Sequence, residues 1–496
     1  MPYLRLMRKK IQQLEQLARL LDPPTQQRND WNAAIQEYTN DFLSEIETAR
    51  GYVTSATQGK GILDLPFTET PKNLSQILQL LEKEVDSQGI NAASGAHLGY
   101  IPGGGIFPTA MGDYISAVTN KYTGIFFASP GGVRIENQLI RWMCQLVGFP
   151  ENSLGNLTSG GSIANLIAIV TARDAKEITA KKIEKTVIYL TEQVHHCVQK
   201  AIRIAGLQEA HIRYIPMDER YRMDADYLEM QVRIDAKNGL IPFLVVGSAG
   251  TTDVGAIDPL ERIAEIAAEH NLWFHVDAAY GGFFLLTENI KNENGEDLKM
   301  SFSGIEQSDS VAIDPHKGFF LSYGLGAVLI KDVKSQMNAH FYRANYMQDA
   351  NDFNPTDEPN PADLSPELTK HARGLRMWLP LHLFGIAPFR ACLEEKILLA
   401  RYFYEEVQKL GFQVGNYPQL SVVTYRYIPE SGDANAFNEQ LIQRLQKDGR
   451  IFVSSTTINR VFWIRVAILS FRTHLHHIDS YLQILQKETK ALTINP

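Results

Sequence analysis

Short apolar segments alternate with longer amphipathic ones between about residues 157 and 330, and this alternation restricts the fold more than any other feature. Alternating strands and helices favour a mostly parallel sheet with helices on both faces, so we predict an α/β fold. The predicted strands are Thr186–Leu190, His211–Ile215, Pro242–Val246, Leu272–Val276, Ser310–Ile313 and Gly326–Ile330. The predicted helices are Ser162–Lys176, His195–Gly206 and Pro259–His270.

Segments of a different character flank this core. Apolar residues recur at helical spacing over residues 4–21 and again over about 31–52, which predicts an N-terminal helical arm. Such an arm needs a surface to pack against, and a second subunit would provide one. Beyond Leu375, a long helical pattern precedes strand-like segments near Ser421–Tyr427 and Phe462–Leu469, which indicates a small α+β domain. We therefore divide the chain into an arm (1–105), a large domain (106–385) and a small domain (386–496).

The stretch 351–363 contains three prolines together with many acidic and amide side chains. Such a composition is typical of a loop. We expect this segment to bury little surface and to be mobile.

Composition excludes several classes of protein. A formal net charge of -8 and the absence of a basic stripe argue against nucleic-acid binding. Three cysteines far apart in sequence, with no CxxC pair, predict neither a disulfide framework nor a metal site, but free thiols in a reducing compartment. The amino end lacks the apolar segment of a signal peptide, and runs such as Ile241–Val246 are much shorter than a membrane span. We expect a cytoplasmic protein without a membrane segment.

The most specific motifs lie at the ends of two predicted strands. The segment His275–Tyr280 (HVDAAY) closes the strand Leu272–Val276, and Asp314–Lys317 (DPHK) closes the strand Ser310–Ile313. Ligands of parallel α/β sheets bind outside the carboxyl ends of the strands, so both motifs should face one crevice. Each residue has an ordinary explanation when taken alone, because Asp277 could cap a helix and Lys317 could be a solvated lysine. Their occurrence together favours a functional site.

An acid and a lysine in one crevice suit pyridoxal phosphate. The pyridine nitrogen must stay protonated for the ring to accept an electron pair, and a buried carboxylate such as Asp277 would hold that proton. An opposite charge in contact shifts a pKa by about 1–3 units. Burial can lower the pKa of a lysine, which would make Lys317 a nucleophilic amine able to form a Schiff base.

Two further segments suit the same cofactor. Gly160, Gly161 and Ser162 open a predicted helix, where backbone N–H groups and the helix dipole favour a phosphate, although the same sequence also caps ordinary helices. His195 and His196 follow the strand Thr186–Leu190, and either imidazole could lie against a cofactor ring or contact the substrate carboxylate. The residues alone do not decide between the two.

These motifs together resemble the group II pyridoxal-phosphate decarboxylases, the family of the aromatic amino-acid, glutamate, cysteine sulfinate and diaminobutyrate decarboxylases. The likeness runs from about His97 to Arg472. It implies a Schiff base on Lys317, with Asp277 paired to the pyridine nitrogen and His195 stacked on the ring. The other implied cofactor contacts are Gly161, Ser162, Thr252, Ala279 and His316.

The resemblance also implies a homodimer with the aspartate-aminotransferase-like fold (fold type I), an arm that wraps the partner and an active site near the interface. The segment His97–Pro102 is similar to a family stretch that lines the substrate pocket. This likeness makes Tyr100 and Pro102 candidates for that pocket.

One departure from the family affects the expected reaction. Family decarboxylases carry a loop tyrosine that protonates the carbon from which carbon dioxide has left, and related aldehyde synthases have phenylalanine there. Residues 349–370 contain no tyrosine, and their single aromatic residue is Phe353; Tyr346 lies just upstream. The leading hypothesis is decarboxylation of an L-amino acid, aromatic rather than acidic, to the amine. The alternatives are oxidative deamination to an aldehyde, another reaction on the same fold such as aminotransfer or aldol cleavage, and a relative that binds the cofactor without turnover.

Overall fold

The computed structural model describes residues 2–342 and 358–494. The first 150 residues are mainly helical. The elements of this part are α1 (Pro2–Ala18), α2 (Thr25–Glu45), β1 (Tyr52–Val53), α3 (Leu74–Leu81), β2 (Gly89–Ile90), α4 (Phe107–Thr119) and α5 (Pro130–Leu146). Its two short strands, β1 and β2, pair with each other in an antiparallel ribbon.

The predicted alternation of strands and helices follows, with boundaries within a few residues of those expected. Its elements are β3 (Leu154–Thr158), α6 (Gly161–Ala175), β4 (Thr186–Leu190), α7 (His196–Ile204), β5 (His211–Tyr214), α8 (Ala225–Lys237), β6 (Ile241–Ser248), α9 (Leu260–Glu269), β7 (Trp273–Asp277), β8 (Ser310–Ile313), α10 (Pro315–Gly318), β9 (Gly326–Ile330) and α11 (Val333–His340).

These strands form one sheet, which in the described part of the chain has seven strands in the order β3-β9-β8-β7-β6-β4-β5. Strands β4 to β8 pair in parallel, whereas β9 runs antiparallel to both of its neighbours. The prediction of a mostly parallel sheet is confirmed. Because the parallel strands share a direction, the segments that follow β4, β6, β7 and β8 emerge at the same edge.

Both faces of the sheet are covered, as the apolar strands require. Val187 and Tyr189 of β4 pack in the cluster that includes α5, α8 and α9, whereas Ile188 and Leu190 pack against α6 and α7. Successive side chains of a strand point to opposite faces, so a strand buried on both sides must be apolar throughout. This explains why these strands appear in the sequence as continuous apolar runs.

The last part of the chain forms a second, smaller sheet. In the described residues it contains four antiparallel strands in the order β10-β11-β13-β12. Its core also includes Ala96 and Leu98, so residues from the N-terminal part pack with the C-terminal one. The division of the chain at residues 105 and 385 stays a prediction. The elements are α12 (Leu375–Phe384), α13 (Ala387–Lys409), β10 (Gln413–Val414), β11 (Val422–Arg426), α14 (Ala434–Asp448), β12 (Ser454–Ile458), β13 (Val461–Ala467) and α15 (Leu475–Ile494).

The first two helices bury none of their residues. The apolar side chains that predicted α1 are exposed, among them Ile11, Leu14 and Leu17. Among the described residues, no helix is both long and apolar enough to cross a membrane.

The expectation that the stretch 351–363 buries little surface is wrong over its second half. Residues 351–357, including Phe353, lie outside the described residues, as does Tyr346. Glu358, however, is only 4% exposed and Asn360 only 6%. The Glu358 carboxylate accepts hydrogen bonds from Arg134, Arg141 and Asn137, and these partners offset the cost of burying a charge.

Candidate active site

A cavity of about 460 Å³ opens at the carboxyl edge of the large sheet. This volume is in the range of small-molecule sites. The segments that line it follow β3, β4, β6, β7 and β8. Eight of the predicted site residues lie along its wall, namely Gly161, Ser162, His195, Thr252, Asp277, Ala279, His316 and Lys317.

Lys317 lies on α10, a single helical turn that begins with Pro315 directly after β8. Its Nζ is 3.1 Å from Oδ2 of Asp314, and about one fifth of its side chain is exposed. Burial by itself lowers the pKa of Lys317, but the carboxylates of Asp314 and Asp277 outweigh burial and raise it above the ordinary value. The expectation of a lowered pKa is therefore wrong for the protein alone, because two acids face one amine.

Asp277 ends β7 and is almost completely buried, with 8% of its surface exposed. Its Oδ1 accepts a hydrogen bond from the backbone N–H of Ala279 at 3.1 Å. Its Oδ2 accepts one from Nδ2 of Asn165 at 3.4 Å. Both carboxylate oxygens of Asp277 are therefore held by neutral donors of the same chain, and the side chain lines the cavity.

The glycine-rich segment lies at the beginning of α6, whose first N–H groups have no partner within the helix. A Cβ atom at Gly161 would lie 2.9 Å from Oδ2 of Asp314, and one at Gly326 would lie 2.6 Å from the backbone of Gly160. At Gly326 the obstacle is backbone, so no side chain fits there, whereas at Gly161 it is the end of the Asp314 side chain. The N–H groups at the beginning of α6 are the feature that can bind an anion.

His195 caps the N-terminus of α7. Its Nδ1 accepts a hydrogen bond from the backbone N–H of Cys197 at 3.3 Å. Burial lowers the pKa of His195, with a smaller opposing effect from Asp277, so the ring is neutral and its proton is on Nε2. His196 is exposed and its ring centroid is 4.1 Å from that of His195. The structure thus places His195, rather than His196, on the cavity wall.

His316 points its Nδ1 at the backbone carbonyl of Leu325, 2.5 Å away. A carbonyl only accepts, so Nδ1 carries the proton and donates it. The other nitrogen, Nε2, lies 3.8 Å from Oδ2 of Asp314. His316 thus joins the segment after β8 to the backbone before β9 and turns its second nitrogen towards Asp314.

Tyr100 and Pro102 do not line this cavity. The Tyr100 side chain is 57% exposed, and its ring lies 5.7 Å from that of Phe452. The buried guanidinium of Arg465 donates from Nη2 to the carbonyl oxygens of both Tyr100, at 3.0 Å, and Thr252, at 2.5 Å. The segment of Tyr100 is thereby joined to the cavity wall at Thr252 without entering the cavity itself.

The sequence analysis missed several residues of this wall. Asp314, Asn165 and Cys197 all line the cavity. Asn165 stands four residues after Gly161, and this spacing places both on one face of α6. Asp314 was read only as part of a motif, although its carboxylate contacts the lysine.

The arrangement fits pyridoxal phosphate. A lysine is available for the aldehyde, a buried carboxylate for the ring nitrogen and a helix N-terminus for the phosphate. Together with a mostly parallel sheet covered on both faces, this donor set defines a pyridoxal-phosphate enzyme of the aspartate-aminotransferase-like fold (fold type I).

The comparisons with known proteins narrow this class. Residues 57–428 match the family model described as the pyridoxal-dependent decarboxylase conserved domain. The chain therefore belongs to the pyridoxal-dependent decarboxylase family, and it is a carboxy-lyase that acts on amino acids with pyridoxal phosphate as its cofactor.

Relatives with three different names are similar over most of the chain. An aromatic-L-amino-acid decarboxylase of Bacillus atrophaeus is 30% identical, over 91% of this chain and 93% of the relative. An L-2,4-diaminobutyrate decarboxylase of Acinetobacter baumannii is 29% identical, with 93% and 90% covered. A phenylacetaldehyde synthase of Arabidopsis thaliana is 26% identical, with 85% and 87% covered.

A solved structure with the same fold is that of Oryza sativa TDC with PLP and tryptamine. It superposes with a TM-score of 0.87 at 22% identity and covers 95% of this chain and 99% of that one. At this identity the likeness establishes the fold.

Proposed function

We propose that this protein decarboxylates an aromatic L-amino acid to the corresponding amine and carbon dioxide. The observation that carries the proposal is the meeting of Lys317 and Asp277 in one cavity at the carboxyl edge of the sheet. The 30% identity to an aromatic-L-amino-acid decarboxylase favours an aromatic substrate. The diaminobutyrate decarboxylase is 29% identical, so diaminobutyrate is the competing substrate.

The cofactor would be held at three places. Lys317 would bind its aldehyde through Nζ, Asp277 would pair with its ring nitrogen, and Gly161 and Ser162 would bind its phosphate through the N-terminus of α6. When bound, pyridoxal phosphate supplies the electron sink that allows the bond between Cα and the carboxylate to break. Asp277 supports this chemistry because a buried anion holds the proton on the ring nitrogen.

Asp314 gives Lys317 a second acidic neighbour. Both carboxylates raise the pKa of Lys317 and so favour the protonated amine. A cation paired with Asp277 would leave Asp314 as the main acidic neighbour and lower the pKa of the amine. The charge on Asp277 therefore links the ring nitrogen to the reactivity of the lysine.

His195 would act as a neutral side chain. Because its Nδ1 is engaged by the N–H of Cys197, the ring presents an Nε2–H donor. A neutral imidazole can lie against an aromatic ring without adding charge, and its N–H can orient a carboxylate. Thr252, Ala279 and His316 would complete the wall around the cofactor.

We also propose a homodimer in the cytoplasm, with the active site near the subunit interface. The apolar face of α1 is exposed in the single chain, and a second copy would cover it. The three cysteines are unpaired, which suits a reducing compartment.

A second candidate reaction is decarboxylative oxidative deamination. In it, an amino acid, dioxygen and water yield an aldehyde, carbon dioxide, ammonia and hydrogen peroxide. Two observations favour it: residues 349–370 contain no tyrosine, and a phenylacetaldehyde synthase is among the relatives.

A substrate panel tests the proposal. The holoenzyme is incubated with each L-amino acid, with Lys317→Ala as the control, and carbon dioxide, amine, aldehyde and peroxide are measured with and without dioxygen. We expect carbon dioxide and amine in equal amounts from aromatic substrates under both conditions. Preference for diaminobutyrate or glutamate would overturn the substrate class. Aldehyde and peroxide that require dioxygen would replace the first reaction with the second.

A further inference from the structure

We propose that Asn165 and His275 are positioning residues, which orient the Asp277 carboxylate through a chain of hydrogen bonds with a fixed direction. The inference rests on the proposed role of Asp277 as the partner of the ring nitrogen. His275 does not line the cavity, and Asn165, which does, donates to the Asp277 carboxylate, so each would act through Asp277.

The chain is built on one face of the large sheet. Trp273, His275 and Asp277 alternate along β7, so all three point to the same side. Ser310 of β8 pairs directly with His275 in the sheet register. Asn165 of α6 packs above them, and like His275 and Ser310 it is completely buried.

The orientation of the Asn165 amide is determined by its neighbours. Its Nδ2 lies 2.8 Å from the carbonyl oxygen of Gly161 and 3.4 Å from Oδ2 of Asp277. A carbonyl and a carboxylate only accept hydrogen bonds, so the amide nitrogen must face them. The amide oxygen of Asn165 then faces Nε2 of His275, at 2.8 Å.

This orientation determines where the proton of His275 resides. Nε2 must carry it, because the amide oxygen of Asn165 can only accept. The other nitrogen, Nδ1, is 2.9 Å from Oγ of Ser310, and the indole N–H of Trp273 donates to the same Oγ at 2.9 Å. The Ser310 hydroxyl is thus free to donate to Nδ1. Burial lowers the pKa of His275 to about 4, in agreement with a neutral ring.

The direction of the chain matters for Asp277. Every hydrogen bond runs from Trp273 through Ser310, His275 and Asn165 towards the carboxylate, and every donor is neutral. The Ala279 N–H fixes one oxygen of Asp277 and the Asn165 amide fixes the other. The carboxylate is therefore held in one orientation, while its full negative charge remains available to a positive ring nitrogen.

Removing the amide donor should move the proton. A carboxylate that loses a hydrogen bond becomes more basic, because the bond had stabilised its charged form. In Asn165→Leu, the shared proton would shift from the ring nitrogen towards Asp277, and the cofactor would become a weaker electron sink. We expect kcat to fall about tenfold, the loss of one hydrogen bond to a charged group, with less than about a threefold change in KM.

The experiment compares holoenzymes loaded with pyridoxal phosphate labelled at its ring nitrogen. Nitrogen NMR reports the protonation of that atom independently of turnover. We expect a protonated signal in the unmodified protein and a shift towards the unprotonated value in Asn165→Leu. Asn156→Leu is the matched control, because Asn156 is equally buried and hydrogen-bonded in the same sheet but lies outside the chain. It should lower stability and leave the nitrogen signal unchanged.

Two variants of His275 provide a second route if Asn165→Leu does not fold. Gln can still donate to the amide oxygen of Asn165, so His275→Gln should retain most of the protonated ring-nitrogen signal and most of the activity. His275→Leu should lose both. An unchanged signal and kcat in folded Asn165→Leu, or equal losses in the two His275 variants, would overturn the inference.

Asp277→Ala separates this inference from the proposed function. A shift in Asp277→Ala without one in Asn165→Leu would refute only the positioning role. No shift in Asp277→Ala would instead refute the role assigned to Asp277 itself.

Discussion

Two regions of the molecule differ in whether their side chains find partners within one chain. These regions are the cavity at the carboxyl edge of the large sheet and the helices α1 and α2. Around the cavity, Asp277 and Lys317 each have a partner of matching chemistry in the same chain. In α1, Leu14 is 52% exposed and Leu17 is 67% exposed, although their spacing is that of a buried helix face. The residues of the candidate active site thus all come from one chain, whereas the apolar face of α1 has no packing partner among the described residues of that chain.

The largest expected effect comes from the lysine at the centre of the cavity. Lys317→Ala removes the amine that would bind the cofactor, so we expect no visible absorbance of the bound cofactor and no measurable turnover. Absorbance spectra and carbon dioxide release test this directly. A variant that keeps the absorbance and the turnover would show that Lys317 does not bind the cofactor.

Asp277→Ala, in the same cavity, should lower turnover less than Lys317→Ala does. The protein would still bind some cofactor through Lys317 and the N-terminus of α6, but kcat would fall roughly a hundredfold, since an adjacent carboxylate shifts a pKa by about 1–3 units. The measurement is steady-state kinetics at saturating cofactor. Near-normal turnover would count against the electron-sink role.

A substitution in α1 tests the other side of the comparison. Leu14→Asp places a charge on the exposed apolar face, so the dimer should dissociate more readily, by the roughly 1.5–3 kcal/mol that burial of a leucine contributes. Sedimentation or light scattering across a concentration series measures the change. Gln12→Asp, on the opposite face of the helix, is the control and should leave the association unchanged. Equal behaviour of the two variants would contradict a dimer formed through this face.

The last prediction concerns the dependence of stability on pH. Burial lowers the pKa of His275 to about 4, below the ordinary 6.5. Between these values the unfolded chain binds a proton that the folded chain excludes, so the contribution of His275 to stability is complete above pH 6.5 and is lost as pH falls towards 4. The loss is about 3 kcal/mol. Denaturant unfolding at several pH values should give a shallower dependence for His275→Gln than for the unmodified protein, and parallel curves would disprove the assignment.

The parallel sheet was predictable because its strands are apolar on both faces and end in recognisable motifs. Strand β3 was missed, since Leu154–Thr158 contains a glycine and an asparagine and lacks a continuous apolar run. The antiparallel direction of β9 was also missed, because Gly326–Ile330 has the same apolar pattern as its parallel neighbours. Direction depends on the connection and the pairing, which residue types do not encode.

The site residues that lie within a specific motif, such as Asp277 and Lys317, could be predicted from the sequence. The pKa of Lys317 could not, because it depends on the distance to Asp314, a neighbour in space. The hydrogen-bond partners of Asn165 were also beyond sequence reasoning, since Asp277 and His275 are more than 100 residues away. Burial of Glu358 was missed for the same reason, because its arginine partners lie on α5.

Reduction of the holoenzyme with borohydride, followed by peptide mapping, tests the central claim most directly. Reduction makes the bond between the cofactor and its lysine permanent, so the modified peptide identifies that residue. We expect a single modified peptide, which contains Lys317. A label on any other lysine, or the absence of a label in protein loaded with pyridoxal phosphate, would contradict the account.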